Sequence, residues 1–157
     1  MVERTIGDKR LKMVRGDITD MEVEAFVFDI TEDAKLGSGF GGAIQQRGGI
    51  VIQKELDEVG SVPTGEAVVT QAGILKADYI IHVNGPKFRE EDEKGKLERA
   101  VTSALARAEE KGVKQIAFPP IGTGMYQVPL GLCADVMVET ISRHLANGSD
   151  LDEVLIV

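Results

Sequence analysis

Two short runs, Tyr79-Ile80-Ile81-His82-Val83 and Val154-Leu155-Ile156-Val157, are apolar at consecutive rather than alternate positions. Successive side chains of a strand point to opposite faces, so such runs need cover on both sides, the habit of strands sandwiched between helices. Further strands are expected at Leu11–Val14, Ala25–Ile30, Ala67–Ala72 and Gln115–Phe118, where apolar and β-branched residues gather. Helical patterns lie between them. In Glu93–Lys111 the set Leu97, Val101, Ala104, Leu105 and Ala108 follows helical spacing, and Gly112 stands where a left-handed stop belongs. In Pro129–Asn147 the set Cys133, Val136, Met137, Ile141 and Leu145 does the same, with Pro129 suited to the first turn and Gly148 to the exit. A shorter pair, Gly42–Arg47 and Ile50–Val59, is divided by Gly48-Gly49. Strands alternating with helices imply a largely parallel or mixed sheet with helices on both faces. The 157 residues contain no internal repeat, low-complexity tract or linker, so residues 1–157 are read as one domain.

Composition removes several classes of function. A single cysteine cannot form an internal disulfide, which points to a reducing, cytoplasmic setting. Met1 to Arg15 is charged throughout, unlike a signal peptide, and no apolar run approaches the ~20 residues of a membrane span. With 18 basic and 26 acidic residues the net charge is −8, which argues against DNA or RNA as a partner. An anionic ligand would have to be held by fixed backbone N–H groups. The sequence ends on the apolar strand Glu153–Val157, so a truncated stretch of a longer protein, lacking a final C-terminal helix, is expected.

Two glycine-dense loops stand at strand-to-helix junctions: Gly37-Ser38-Gly39-Phe40-Gly41-Gly42, and Gly122-Thr123-Gly124-Met125-Tyr126 after Ile116-Ala117-Phe118-Pro119-Pro120-Ile121. Glycines there let the backbone approach a phosphate, and the following helix N-terminus favours negative charge. Two such loops suggest a ligand with two phosphates, whereas either loop alone is equally read as a turn. The first matches G-x-G-x-x-G, but Thr31 to Leu36 separate it from the preceding strand, unlike a dinucleotide fingerprint. No Gly-Lys-Ser or Gly-Lys-Thr of a P-loop occurs, and Ser38 lacks nucleophile-elbow spacing. His82, His144 and Cys133 show no metal-ligand spacing, so no metal or cofactor is expected; His82 and Cys133 read as core residues. Asp17, in Arg15-Gly16-Asp17-Ile18-Thr19, can accept hydrogen bonds from an exocyclic amine such as that of adenine, with the Ile18 N–H beside it, or can cap a turn.

Taken in order, Gly16-Asp17-Ile18-Thr19, Val23-Glu24-Ala25-Phe26-Val27, the first glycine loop through Ala43-Ile44, Thr64-Gly65-Glu66-Ala67-Val68-Val69-Thr70, Ile80-Ile81-His82-Val83-Asn84-Gly85-Pro86 and Ile116 through Pro129 resemble a macro domain of the ADP-ribose-binding, Appr-1-p processing family, from about Leu11 onward. The resemblance implies a three-layer α/β/α sandwich on a mixed sheet, with a cleft for ADP-ribose. It implies Asp17 as acceptor of the adenine amine with Ile18 as backbone donor. Gly39, Phe40 and Gly41 would form the first phosphate loop, and Gly122, Thr123, Gly124, Met125 and Tyr126 the second. Phe40 and Tyr126 would flank the distal ribose, and Pro86 would lie on the adenine side.

Hydrolytic members of the commonest type carry Asn-Ala-Ala-Asn and an Asp after the first glycine triplet. Without gaps these positions read Phe28-Asp29-Ile30-Thr31 and Gly41 here, leaving Thr31 at the ribose-orienting position. A second hydrolytic class attacks with a Lys and uses an Asp in the second loop, where this chain has Thr70 and Tyr126. A Thr cannot form a Schiff base, and a Tyr near neutral pH is no carboxylate base. The resemblance therefore implies a reader of ADP-ribose or ADP-ribosylated protein with little or no hydrolysis. The alternative is a hydrolase of ADP-ribosyl-protein, O-acetyl-ADP-ribose or ADP-ribose 1''-phosphate in which Thr31, Asp29, Glu32 or Asp33 positions a water.

Overall fold

The computed structural model describes residues 2–37, 40–87, 90–123 and 127–157, and of Phe40 only the backbone. The order of elements is β1 (Val2–Ile6), β2 (Lys9–Met13), β3 (Ala25–Asp29), α1 (Phe40–Gly48), α2 (Val51–Val59), β4 (Ala67–Gln71), β5 (Tyr79–Val83), α3 (Glu93–Lys111), β6 (Gln115–Phe118), α4 (Leu130–Ala146) and β7 (Glu153–Ile156), with a 3-10 turn at Ile18–Asp20. The seven strands form one sheet in the order β1-β2-β7-β6-β3-β5-β4. Neighbours from β2 to β5 run parallel, and β1 and β4 close the edges antiparallel. Both all-apolar runs are interior strands, β7 between β2 and β6, and β5 between β3 and β4.

Strand alternation divides the core in two. Val27, Ile81, Val83, Ile116, Phe118 and Val154 face the buried stripes of α3 and α4, among them Leu97, Val101, Leu105, Met137 and Ile141. Phe26, Ile80, Ala117 and Leu155 face the other way, where Ile44 of α1 and Ile52 and Leu56 of α2 pack. The result is a three-layer α/β/α sandwich on a mixed sheet, as the sequence implied.

Helix α3 stops where predicted, because Gly112 takes a φ of 69° and its N–H reaches the Ala108 and Glu109 carbonyls. At α4, Pro129 precedes the first turn rather than entering it. The helix expected at Gly42–Arg47 begins two residues earlier, at Phe40. Sequence reading missed β1 altogether. Its residues are exposed along nearly their whole length, so no buried face marks them. The available signal was Gly7-Asp8, a two-residue turn with Gly7 at a φ of 62° and Ile6 paired with Lys9. Just before β7, Glu109 of α3 accepts from Ser149 Oγ at 2.7 Å and the Asp150 N–H at 3.2 Å, and lies 2.8 Å from His144 Nε2. That cluster fixes the entry into β7.

Leu105 is fully buried between α3 and the sheet, whereas Val2 is 67% exposed on the edge. Leu105→Ala is expected to lower unfolding free energy by about 2–5 kcal/mol and Val2→Ala to change it by less than about 0.5 kcal/mol, as read from urea midpoints.

Candidate functional site

Strands β3 and β6 are parallel neighbours, with Ala25 opposite Ile116 and Phe26 opposite Ala117. From the end of β3 the chain turns to α1 on one face of the sheet, and from the end of β6 to α4 on the other. Parallel neighbours whose chains part in this way leave a crevice beyond their carboxyl ends, the usual place for a ligand in open α/β sheets. Each wall of this crevice is a loop ordered by its own hydrogen bonds.

The first loop leaves β3 with the Ile30 N–H on the Val83 carbonyl at 2.9 Å. The Thr31 hydroxyl is committed inside the loop: it meets the Asp33 carboxylate, lies 3.2 Å from the Lys35 carbonyl, and accepts from the Lys35 N–H at 3.3 Å. Ala34 is fully buried in the left-handed region, φ 58°, a conformation non-glycine residues seldom adopt. Gln53 of α2 secures the segment, donating to the Ala34 carbonyl at 3.0 Å and accepting from the Leu36 N–H at 2.9 Å. Lys35 adds an exposed bond to Asp57 at 2.7 Å, which lowers the Asp57 pKa and raises its own. The Leu36 carbonyl then presses on α1, where a Cβ at Gly41 would lie 1.8 Å from that oxygen. No side chain can occupy position 41 on this chain path, so an Asp could not stand there without rebuilding the loop.

The second loop leaves β6 through a tight turn. The Thr123 N–H and hydroxyl both reach the Pro120 carbonyl, at 3.2 and 2.8 Å, and Gly122 at the third position has a φ of 77°. A Cβ there would meet Val128 Cγ2 at 2.7 Å. The Val128 N–H closes the loop onto the Gly122 carbonyl at 2.9 Å.

Asp29, the last residue of β3, ties the two walls together. Its Oδ2 accepts from the Gly122 N–H at 3.0 Å, while Oδ1 is buried without a hydrogen-bond partner. Burial pushes its carboxyl up to about 6, partly opposed by the Gly122 hydrogen bond. Across the same junction Cys133 of α4 gives its thiol hydrogen to the Ile121 carbonyl at 3.3 Å, and burial, with the Asp29 charge, pushes that thiol up to about 12. An acid interrupting the apolar run Ala25 to Ile30 was the sequence signal for this bridge.

Asp17 lies beyond the end of β2, on the same edge of the sheet. Its Oδ1 accepts from the Thr19 N–H at 3.0 Å and the Thr19 hydroxyl at 2.6 Å, and its Oδ2 from Arg47 Nη1 at 2.8 Å. The Thr19 and Arg47 hydrogen bonds hold its carboxyl below the usual carboxylate range. Asp17 thus caps the Ile18–Asp20 turn, and its half-exposed carboxylate retains lone pairs for a further donor. Three strand spacings, about 14 Å, separate the end of β2 from the end of β3. Pro86 follows β5, four strand positions from β2, and its carbonyl lies beside Gly122.

Thr70 and His82 form a separate buried pair, 2.8 Å apart. The Thr70 hydroxyl donates to the Gln71 carbonyl at 2.9 Å and therefore accepts from His82 Nε2, which leaves Nδ1 buried and unpartnered. Burial lowers the His82 pKa to about 3, so the ring is neutral. Gly39, Gly124, Met125, Tyr126 and the side chain of Phe40 lie outside the described residues. Among the described residues no three His, Cys, Asp or Glu side chains are grouped as a metal ion would require.

The raised pKa of Asp29 has a definite sign in stability. Between about pH 4 and pH 6 the folded chain holds the Asp29 proton more tightly than the unfolded chain, so stability falls as pH rises through that window. Asp29→Asn is expected to remove up to about 3 kcal/mol of that fall, seen as a flatter dependence of melting temperature on pH. Gly41→Ala is expected to lower the melting temperature at every pH, since the Leu36 carbonyl cannot move without breaking the Gln53 latch.

The Macro domain family profile matches residues 30–137. A macro domain-containing protein of Caldanaerobacter subterraneus is 39% identical over 155 residues, covering 95% of this chain and 88% of that protein. The structure of the Oceanobacillus iheyensis macrodomain with ADP superposes with a TM-score of 0.93 at 28% identity, covering 99% of this chain and 86% of the other. That of the Trypanosoma brucei macrodomain in complex with ADP-ribose gives 0.85 at 26% identity, covering 93% and 62%. With the two glycine junctions meeting at the parting of β3 and β6 on this sheet, the chain belongs to the macro domain family.

Proposed function

We propose that this chain binds ADP-ribose, free or carried on a protein, and reads the modification with little or no hydrolysis. The observation that carries the reading is the crevice at the ends of β3 and β6, walled by the Gly41 and Gly122 junctions, where a side chain is sterically excluded. Backbone amides at such junctions serve a diphosphate without needing a basic surface, which suits a chain of net charge −8. Related macrodomains hold ADP or ADP-ribose. In this scheme Asp17 and Ile18 receive adenine. Gly39 to Gly41 and Gly122 to Tyr126 hold the diphosphate, with Phe40 and Tyr126 beside the distal ribose. The ~14 Å from the end of β2 to the end of β3 suits a ligand extended between adenine and the far ribose.

Commitments of the side chains favour binding over catalysis. Thr31 spends its hydroxyl on its own loop, Thr70 on Gln71 and His82, and Gly41 has no room for an acid. Asp29 faces Gly122 from the buried side. A fully buried Cys133 suits a reducing setting such as the cytoplasm, and no helix among the described residues is long and apolar enough to cross a membrane. Nucleic acid has no part in the scheme.

Titration calorimetry with ADP-ribose is expected to show saturable binding near micromolar, about −8 kcal/mol, with the ligand recovered intact and AMP binding more weakly. Absence of binding would overturn the proposal, and release of a hydrolysis product would turn it toward the enzyme. Asp17→Ala is expected to weaken binding by about 1–3 kcal/mol as one charge-assisted hydrogen bond is lost.

A further inference from the structure

Asp29 has no task in the ligand scheme, yet its placement is costly. Its Oδ1 is buried without a partner, and its Oδ2 holds the Gly122 N–H at 3.0 Å, in the turn assigned above to the diphosphate. The elements around it offer no compensating cation among the described residues. β5 ends beside it in Val83, the second loop presents the Gly122 amide, and α4 presents the thiol of Cys133. The groups that move its proton affinity are burial, which raises it, and the Gly122 hydrogen bond, which lowers it.

A diphosphate on the second loop would bring two negative charges to the far side of that same turn. An ionised Asp29 beneath it repels them through a poorly screened path. A neutral Asp29 does not, and it still accepts the Gly122 N–H through Oδ2 as its carbonyl oxygen, so the turn keeps its shape. Oδ1, the oxygen with no partner, is the atom free to take the proton. We propose that Asp29 is a positioning residue of the second phosphate loop and that diphosphate binding in the crevice takes up a proton from solvent onto Asp29 Oδ1. The inference rests on reading the crevice as an ADP-ribose site, and it adds a proton to the binding equation. No other bond is made or broken.

The test is titration calorimetry of the full chain with ADP-ribose near pH 6.5 in two buffers of different ionisation enthalpy. ADP-ribose is the right probe because its diphosphate is esterified at both ends and lacks the second ionisation near pH 6 of a terminal phosphate. The apparent enthalpy is expected to differ between the buffers by an amount that reports uptake of a fraction of a proton. Affinity is expected to strengthen several-fold from pH 7.5 to pH 5.5. In Asp29→Asn both the buffer dependence and the pH slope should vanish, while Asp29→Ala, which also loses the bond to Gly122, should bind more weakly at every pH. Binding with a buffer-independent enthalpy overturns the inference, as does uptake that persists in Asp29→Asn. The wild-type measurement needs no variant to fold. Failure of the wild-type chain to bind ADP-ribose at all refutes the reading of the crevice, an outcome distinct from binding without proton uptake.

Discussion

The parting of β3 and β6 to opposite faces of the sheet sets the positions of everything built on them. Because these two parallel neighbours release their chains to opposite faces, the gap between the departures would be an open seam in the core. One hydrogen bond from the Gly122 N–H to Asp29 closes it. The Cys133 thiol on the Ile121 carbonyl gives the same turn a second attachment, from the α4 layer. The crevice floor is therefore held by buried contacts that salt screens far less than the exposed pairs Lys35–Asp57 and Arg47–Asp17.

Steric exclusion does the remaining shaping. Gly41 and Gly122 are required because a β-carbon would strike Leu36 or Val128, and Gly85 because it would meet Ile121 Cγ2 at 2.9 Å. Ala34 presents the opposite case. It accepts a left-handed backbone that glycine would take more easily, and its methyl is fully buried in the core beneath the first loop. The departure from the hydrolytic family pattern at position 41 is thus a matter of chain path as much as of chemistry.

Much of the fold could be read from periodicity, and the reasons are visible residue by residue. Helix α3 was legible to its last residue because an apolar stripe ends against a glycine, and β5 because its consecutive apolar residues admit no other placement than an interior strand. β1 was not legible, since strand alternation is invisible where both faces meet water. Around the crevice, the glycine junctions and Asp17 could be singled out from spacing, as candidates only. Their partners could not: Gln53 and Arg47 look like ordinary surface residues of helices until the loops they hold are placed.

The β1 hairpin acts as insulation. Without it, β2 would present its backbone donors and acceptors to any other extended chain, as a template for edge-to-edge association. β1 moves that liability outward onto a five-residue strand bearing Glu3 and Arg4, where an incoming strand would have to strip water from charged side chains to pair. The stretch that contributes least to the core therefore guards the molecule's colloidal behaviour, a property set by the perimeter of a sheet rather than by its interior.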